Sequence, residues 1–512
     1  MPRFRLSATV ALVAVWLIPA IAQPVDTFGL DAGEHAVGFQ LIEEQDRSRV
    51  VSGGVRGAAH PRPIRVYLWY PAETARRTQP LTFGRYAALA DDDVWPAEIS
   101  GELRAQLKYA NGPLARSLSP TDFAALLARP MHAVENAEPL PGPFPLIVIG
   151  LGLYYESPVT FAAFAEYLAG TGFVVATAPV VGTHITVVKV DSQDIETQVR
   201  DLEFVIARVR QLAFVDPERL GAIGFDQGGM AGVVLTMRDR DVDAFVSLDS
   251  GIQHAHPSGQ PRASPHYDPL ALRVPWLHAG NSSHNPPPAP DAASLYDEAI
   301  HAERYWLRAD TMDHADFTSY GLVEGRGAVL GYWGALTATN LAGHRMIAEY
   351  VRHFFNAHMN ASAVSMALLD QALRQPRADA GMTLEFRAAT PAPIGYDELV
   401  RKLIEGESAT AIAELRTLAK IAPDHWLLAE NTFARLWVSM FFTWNLAEQS
   451  LPLVEFAVER YPESTNAQAM LAETQAALAN YPAAIAAYER VLAKSPDNLN
   501  IAARLEALRS RP

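Results

Sequence analysis

The residues best suited to chemistry lie in three short segments far apart in the chain. Gly224-Phe225-Asp226-Gln227-Gly228-Gly229 follows an apolar run and precedes a helical pattern. Small residues at these spacings permit a sharp strand-to-helix turn that lifts the central side chain above a sheet. Asp226 therefore offers a carboxylate where such a turn usually offers a hydroxyl. Asp249 ends the next apolar run, in Ser247-Leu248-Asp249-Ser250-Gly251, and His314 sits in Met312-Asp313-His314-Ala315-Asp316-Phe317. An acid on a strand end can orient an imidazole, which can then activate water. The plainer readings are that Asp249 caps the following turn and that His314 is a surface-loop histidine. Gly150-Leu151-Gly152 follows an earlier apolar run, and the backbone N–H groups of Leu151 and Gln227 are the candidate donors to a developing oxyanion. A serine in this position needs a base before it can attack a carbonyl, whereas aspartate is already ionised. Its attack on an acyl carbon would give a reactive anhydride, so a carboxylate suits sp³ carbon better.

Six further histidines, His254, His256, His266, His278, His284 and His301, fall between Asp249 and His314. Imidazoles are common metal ligands, and His254 with His256 has a chelating spacing. The segment is also rich in Pro, Ser and Gly and lacks the carboxylate-histidine spacing of a metal site. It reads as a solvated loop facing the substrate near the mouth of the site, with no metal and no cofactor. Trp276 and Trp306 read as core.

The elements that must position these groups alternate between strand and helix. Ile64 to Tyr70 reads as an early strand stopped by Pro71, and residues 72–140 as mixed helix and loop. Leu146 to Ile149, Gly172 to Ala176, Leu220 to Gly224, Ala244 to Leu248 and Pro275 to His278 are buried-strand runs. Phe161 to Leu168 and Asp194 to Leu212 have helical spacing between them. This rhythm predicts a mostly parallel sheet with helices on both faces, closed by a helix around His344 to Phe355.

At 512 residues the chain is long enough for two or three domains. Arg3 and Arg5 precede the apolar run Ala8 to Ile18, and Ala20-Ile21-Ala22 has a small-x-small cleavage pattern. Residues 1–22 therefore read as a signal peptide, and the mature protein as periplasmic or secreted with no integral span. Residues 23–375 read as the α/β domain, 376–395 as a Pro/Ala-rich linker, and 396–512 as a helical domain. In the latter, Tyr461-Pro462-Glu463 and Ser495-Pro496-Asp497 lie 34 residues apart, and Asn445 and Asn480 lie 35 apart. This spacing resembles tetratricopeptide repeats, in which helix pairs stack. A plain helical bundle is the simpler reading. The formal charge of −15 argues against a nucleic-acid partner, and with no cysteines, thiolate chemistry and disulfides are excluded.

Residues 60–375 resemble the platelet-activating factor acetylhydrolase and dienelactone hydrolase-like group of α/β-hydrolases. The resemblance is carried by Val66 to Pro71, Phe144 to Gly152, Gly224 to Gly229, Leu248 to Gly251 and His314 to Phe317. The 23-residue step from Asp226 to Asp249 matches the nucleophile-to-acid spacing of that group. The resemblance implies the α/β-hydrolase fold, a triad of Asp226, His314 and Asp249, and an oxyanion hole at Leu151 and Gln227. Two positions depart from it: Asp226 replaces the serine, and Ile149 stands where a histidine commonly precedes Gly-Leu-Gly. Haloalkane dehalogenases and epoxide hydrolases also carry aspartate on this turn but usually follow it with tryptophan, where this chain has Gln227. The expected function is hydrolysis of a small-molecule substrate at an ester-type or related bond. The alternative is a hydrolase-fold protein without catalysis that binds a protein partner through its repeat-like tail.

Overall fold

The computed structural model describes residues 28–51, 60–74, 79–92, 118–152, 157–183, 188–253, 259–281, 294–323, 338–375 and 381–510. The proposed leader, residues 1–22, lies outside them, as do His254, His256 and His284. The chain divides into two compact units, Met1–Thr390 and Pro391–Pro512.

The first unit is built on one sheet whose strands are β1 (Ala36–Val51), β2 (His60–Ala72), β3 (Ala133–Glu135), β4 (Phe144–Gly150), β5 (Val174–Thr177), β6 (Val215–Phe225), β7 (Ala244–Leu248), β8 (Trp276–Gly280), β9 (Arg304–Ala309) and β10 (Met382–Arg387). Their order is β10-β9-β8-β7-β6-β4-β5-β2-β1-β3. From β5 through β9 the pairing is parallel, while β1, β2 and β10 join antiparallel. The strands alternate Ile147 and Ile149 toward one core and Leu146 and Val148 toward the other, which is the period-2 pattern of a sheet buried on both faces. Helices α1 (Phe83–Asp92), α2 (Ala162–Gly170) and α5 (Ala338–Met359) cover the first face; α3 (Ser192–Val209) and α4 (Gln227–Arg238) cover the second. This is the α/β-hydrolase fold. The chain leaves β4 toward β5 and returns to β6 on the other side of β4, so the carboxyl ends of β4 and β6 flank a topological switch point, where such sheets open a crevice.

Four strands, β1, β3, β9 and β10, differ from the sequence reading. β1 carries a charged and polar second half from Glu43 to Arg49, β9 has Arg304 and Arg308 at either end of only three apolar residues, and β3 has three residues in all, so none offers a long apolar run. β10 lies inside the stretch read as a linker, 376–395, and corrects it: Met382 and Leu384 are buried while Thr383 and Glu385 are exposed, and the strand pairs along β9. The sheet-bearing unit thus runs past residue 375.

A buried polar chain links β2, α1 and α2. Trp69 Nε1 donates to Tyr86 Oη at 2.9 Å, and Tyr86 Oη donates to Glu166 Oε1 at 2.7 Å. The His132 N–H donates to Glu166 Oε2 at 2.7 Å. Burial pushes the Glu166 pKa up to about 7 from 4.5, against these donors. The folded chain therefore keeps a proton that the unfolded chain releases near its ordinary value. The stabilisation is complete below that ordinary value and is lost as pH rises through about 7, a change of about 3 kcal/mol. Accordingly, between about pH 5 and pH 8 the unfolding free energy of the wild type should fall by about 3 kcal/mol more than that of Glu166→Gln. Urea titrations check this, and parallel profiles for the two proteins would contradict it.

The second unit contains, among the described residues, seven α-helices: Tyr396–Ile404, Ser408–Ile421, Glu430–Val438, Ala447–Arg460, Thr465–Ala477, Tyr481–Lys494 and Leu499–Arg509. Their core is formed by Leu403, Leu415, Phe433, Leu453 and Met470, with a smaller cluster around Ala484, Tyr488 and Leu505. No described helix in either unit is long and apolar enough to cross a membrane.

Candidate active site

Asp226 occupies the single residue between β6 and α4. Its backbone lies at φ 50° and ψ −119°, a region that costs a non-glycine residue of order 1–3 kcal/mol and persists only where its surroundings enforce it. Here they do. Asp226 N–H donates to Leu248 O at 3.2 Å, and its carbonyl accepts from Gly229 N–H at 3.1 Å and Ser250 Oγ at 2.6 Å. The turn also packs too closely for side chains: a Cβ at Gly228 would sit 2.1 Å from Gly150 O, and one at Gly224 would sit 2.3 Å from Gly228 O. The glycines of the motif thus allow the ends of β4 and β6 to meet, with Gly150 in register with Gly224.

That register also brings the two candidate oxyanion residues to neighbouring positions. Leu151 follows β4 and is fully buried, and its carbonyl accepts from Gln198 Nε2 of α3 at 2.7 Å. Gln227 is the first residue of α4, so its N–H belongs to the helix's first turn, where backbone donors lack intrahelical acceptors. The Gln227 side chain is fully buried, and neither of its amide atoms has a hydrogen-bond partner among the described residues.

Asp249 follows β7 directly, in register beside the elbow, because Phe225 pairs with Leu248. Its backbone has φ 38°, and its N–H donates to Ala279 O at 2.7 Å. The carboxylate is buried. Oδ1 accepts from Asn281 N–H at 3.0 Å, and Oδ2 lies 2.6 Å from His314 Nδ1. A carboxylate only accepts, so Nδ1 carries a proton, and in the neutral ring Nε2 is then the basic nitrogen. The imidazole stacks on Phe225, the neighbour of Asp226, with ring centroids 4.6 Å apart and planes at 25°. Its side chain keeps 27% of its surface exposed. Phe225 and Asp249 together hold the ring beside the elbow with one nitrogen committed and part of its surface open.

The loop carrying His314 is itself anchored. His314 opens a short 3-10 turn, and Asp313 and Asp316 cap that turn reciprocally. The Asp316 carboxylate also accepts from Asn340 Nδ2. Burial pushes the pKa of His344 down to about 4, so this ring is neutral, and its Nδ1–H donates to Asp316 O at 2.8 Å.

The other described histidines stand elsewhere. His278, expected near the mouth of the site, is fully buried on β8: it lies 2.8 Å from Ser247 Oγ and packs edge-on against Trp306 at 5.5 Å. Its side chain belongs to the core around Trp276 and Trp306, both buried as read. His301 is buried against Thr390 O at 3.1 Å, and His266 is exposed. Among the described residues no group of three or more His, Asp or Glu side chains is placed to hold a metal ion.

Sequence reasoning missed Phe225 as the stacking surface, Asn281 as a partner of Asp249, and Gln198 as the support of the Leu151 turn. The position of Asn281, directly after the strand that follows the acid strand, is the one sequence signal that could have found it.

No protein-family model matches the chain, and no curated protein matches it. Among solved structures it is similar to the ferulic acid esterase from Streptomyces cinnamoneus, at 22% identity and a TM-score of 0.48, over 73% of this chain and 98% of that one.

Proposed function

We propose that the chain is an exported hydrolase of the platelet-activating factor acetylhydrolase and dienelactone hydrolase-like kind, acting on an ester-type or related bond of a small molecule. One observation carries this reading: the 2.6 Å contact from His314 Nδ1 to the buried Asp249 carboxylate, with the ring stacked on the residue that precedes Asp226. In this reading Asp249 orients the imidazole and stabilises its protonated form, and Nε2 takes a proton from water. Asp226 supplies negative charge at the reacting carbon. On an sp³ carbon it attacks directly, the leaving group departs, and water activated by His314 hydrolyses the resulting ester at Asp226. On an acyl carbon, where attack would form an anhydride, Asp226 and His314 instead hold and deprotonate the attacking water. Leu151 and Gln227 N–H groups receive the oxyanion that develops. The test is turnover of a panel of small esters, lactones, epoxides and haloalkanes by the purified protein. Hydrolysis within at least one class is expected; no turnover of any would contradict the reading.

The aspartate at the elbow also favours a second reading, a hydrolase-fold protein that no longer catalyses and binds a partner through the tetratricopeptide-like helices of its second unit. Under that reading, removing residues 396–512 abolishes capture of the partner while the panel stays silent.

A further inference from the structure

We infer that Asn281 is a positioning residue that couples the acid to the imidazole, an inference that rests on the functional reading above. Its two ends serve two different segments. The backbone N–H donates to Asp249 Oδ1 at 3.0 Å. The side-chain amide reaches the loop leading into His314, donating to Met312 O at 2.7 Å and lying 3.4 Å from Asp310 O. The residue is 7% exposed, so these bonds form away from competing water. From the far side, Asn340 Nδ2 lies 3.2 Å from Thr311 O. Three consecutive carbonyls ahead of His314 are thus met by two asparagine amides, but Asn281 is the one that also binds the Asp249 carboxylate.

The arrangement explains how a loop residue can meet a strand-end carboxylate at 2.6 Å. His314 lies beyond β9, on a loop whose own turn fixes its shape but not its distance from β7. Asn281 sits at the end of β8, between the two, because β8 pairs with β7 and with β9. Its main chain is therefore in register with Asp249 while its side chain spans to the loop. Removing the side chain leaves the backbone bond to Asp249 intact and cuts only the tie between the loop and β8.

The experiment compares wild type with Asn281→Ala and with Asn281→Asp, which keeps the shape but replaces the donating amide by a carboxylate facing two carbonyls. Two readouts are taken on protein shown to be folded by its thermal transition: steady-state kinetics on the best panel substrate, and the downfield Nδ1 proton resonance of His314, assigned by its absence in His314→Gln. For both variants kcat should fall about 10- to 100-fold with KM within about twofold, since a catalytic group is displaced while binding is kept. The Nδ1 resonance should broaden or disappear. A sharp, unshifted resonance in folded Asn281→Ala would overturn the inference. The resonance is read without substrate, so it decides the role of Asn281 even if the panel shows no turnover, which would count against the functional reading alone.

Discussion

Asp226→Asn should lower kcat by about ten thousand-fold on any substrate the wild type hydrolyses, with the fold unchanged. Asparagine matches aspartate in shape and is among the few residues that tolerate positive φ, so the strained turn at φ 50° survives the exchange. The bonds that hold this turn run to its backbone, from Ser250 and Gly229 and to Leu248, and none needs the carboxylate. What is lost is the negative charge at the reacting carbon, and an amide is neither a useful nucleophile nor a base. KM should move little, because binding surfaces stay in place. If Asp226 attacks carbon, a single wild-type turnover in ¹⁸O-water places the label in the Asp226 carboxylate; if it deprotonates water, the label goes to the product alone. Steady-state kinetics and mass spectrometry of the peptide containing Asp226 check both points, and a variant retaining wild-type rate would remove Asp226 from the chemistry.

Asp249→Asn should cost about the same, on the order of ten thousand-fold in kcat, for a different physical reason. The asparagine oxygen can keep the bond from Asn281 N–H, but its amide nitrogen then faces His314 Nδ1 with a donor. The imidazole answers by moving its proton to Nε2, the nitrogen that must accept one. The geometry survives while the tautomer is wrong. Because both groups are largely removed from solvent, stability should also fall, by about 1–3 kcal/mol for a weakened buried hydrogen bond. Chemical denaturation and kcat measured together separate the two effects: a rate loss no larger than the variant's unfolded fraction would show a merely structural carboxylate.

Much of this architecture is legible in local sequence because its signals are local. The elbow is marked by small residues whose absence of side chains the close approach of β4 and β6 demands, and the parallel strands are marked by unbroken apolar runs. Asp226 and Asp249 stand out for that reason, each directly after a strand, while His314 stands out by its place in chain order after the last parallel strand. The misses have long-range causes. Arg304 and Arg308 interrupt β9 with charges that find partners at Tyr296 O and Glu385, residues that local patterning cannot pair with them. β10 is an edge strand with only Met382 and Leu384 turned inward, too short a stripe to stand out beside the Pro- and Ala-rich segment after it. His278 departs from the loop environment its neighbours suggest because the pleat turns its side chain into the core beside Ser247 and Trp306, and an apolar run buried on both faces does not reveal its phase. Asn281 and Phe225 matter only through contacts across strands, to Asp249 and the 310–312 loop for one and to His314 for the other.

Exchanging Asp226 for serine puts the account to its most direct trial, because the same acid, imidazole and backbone donors then act on a hydroxyl. Wild type should hydrolyse at least one compound of the panel, and Asp226→Ser should lose that activity. A silent wild type, with ester hydrolysis appearing only in Asp226→Ser, would contradict it and identify the natural site as one that no longer catalyses.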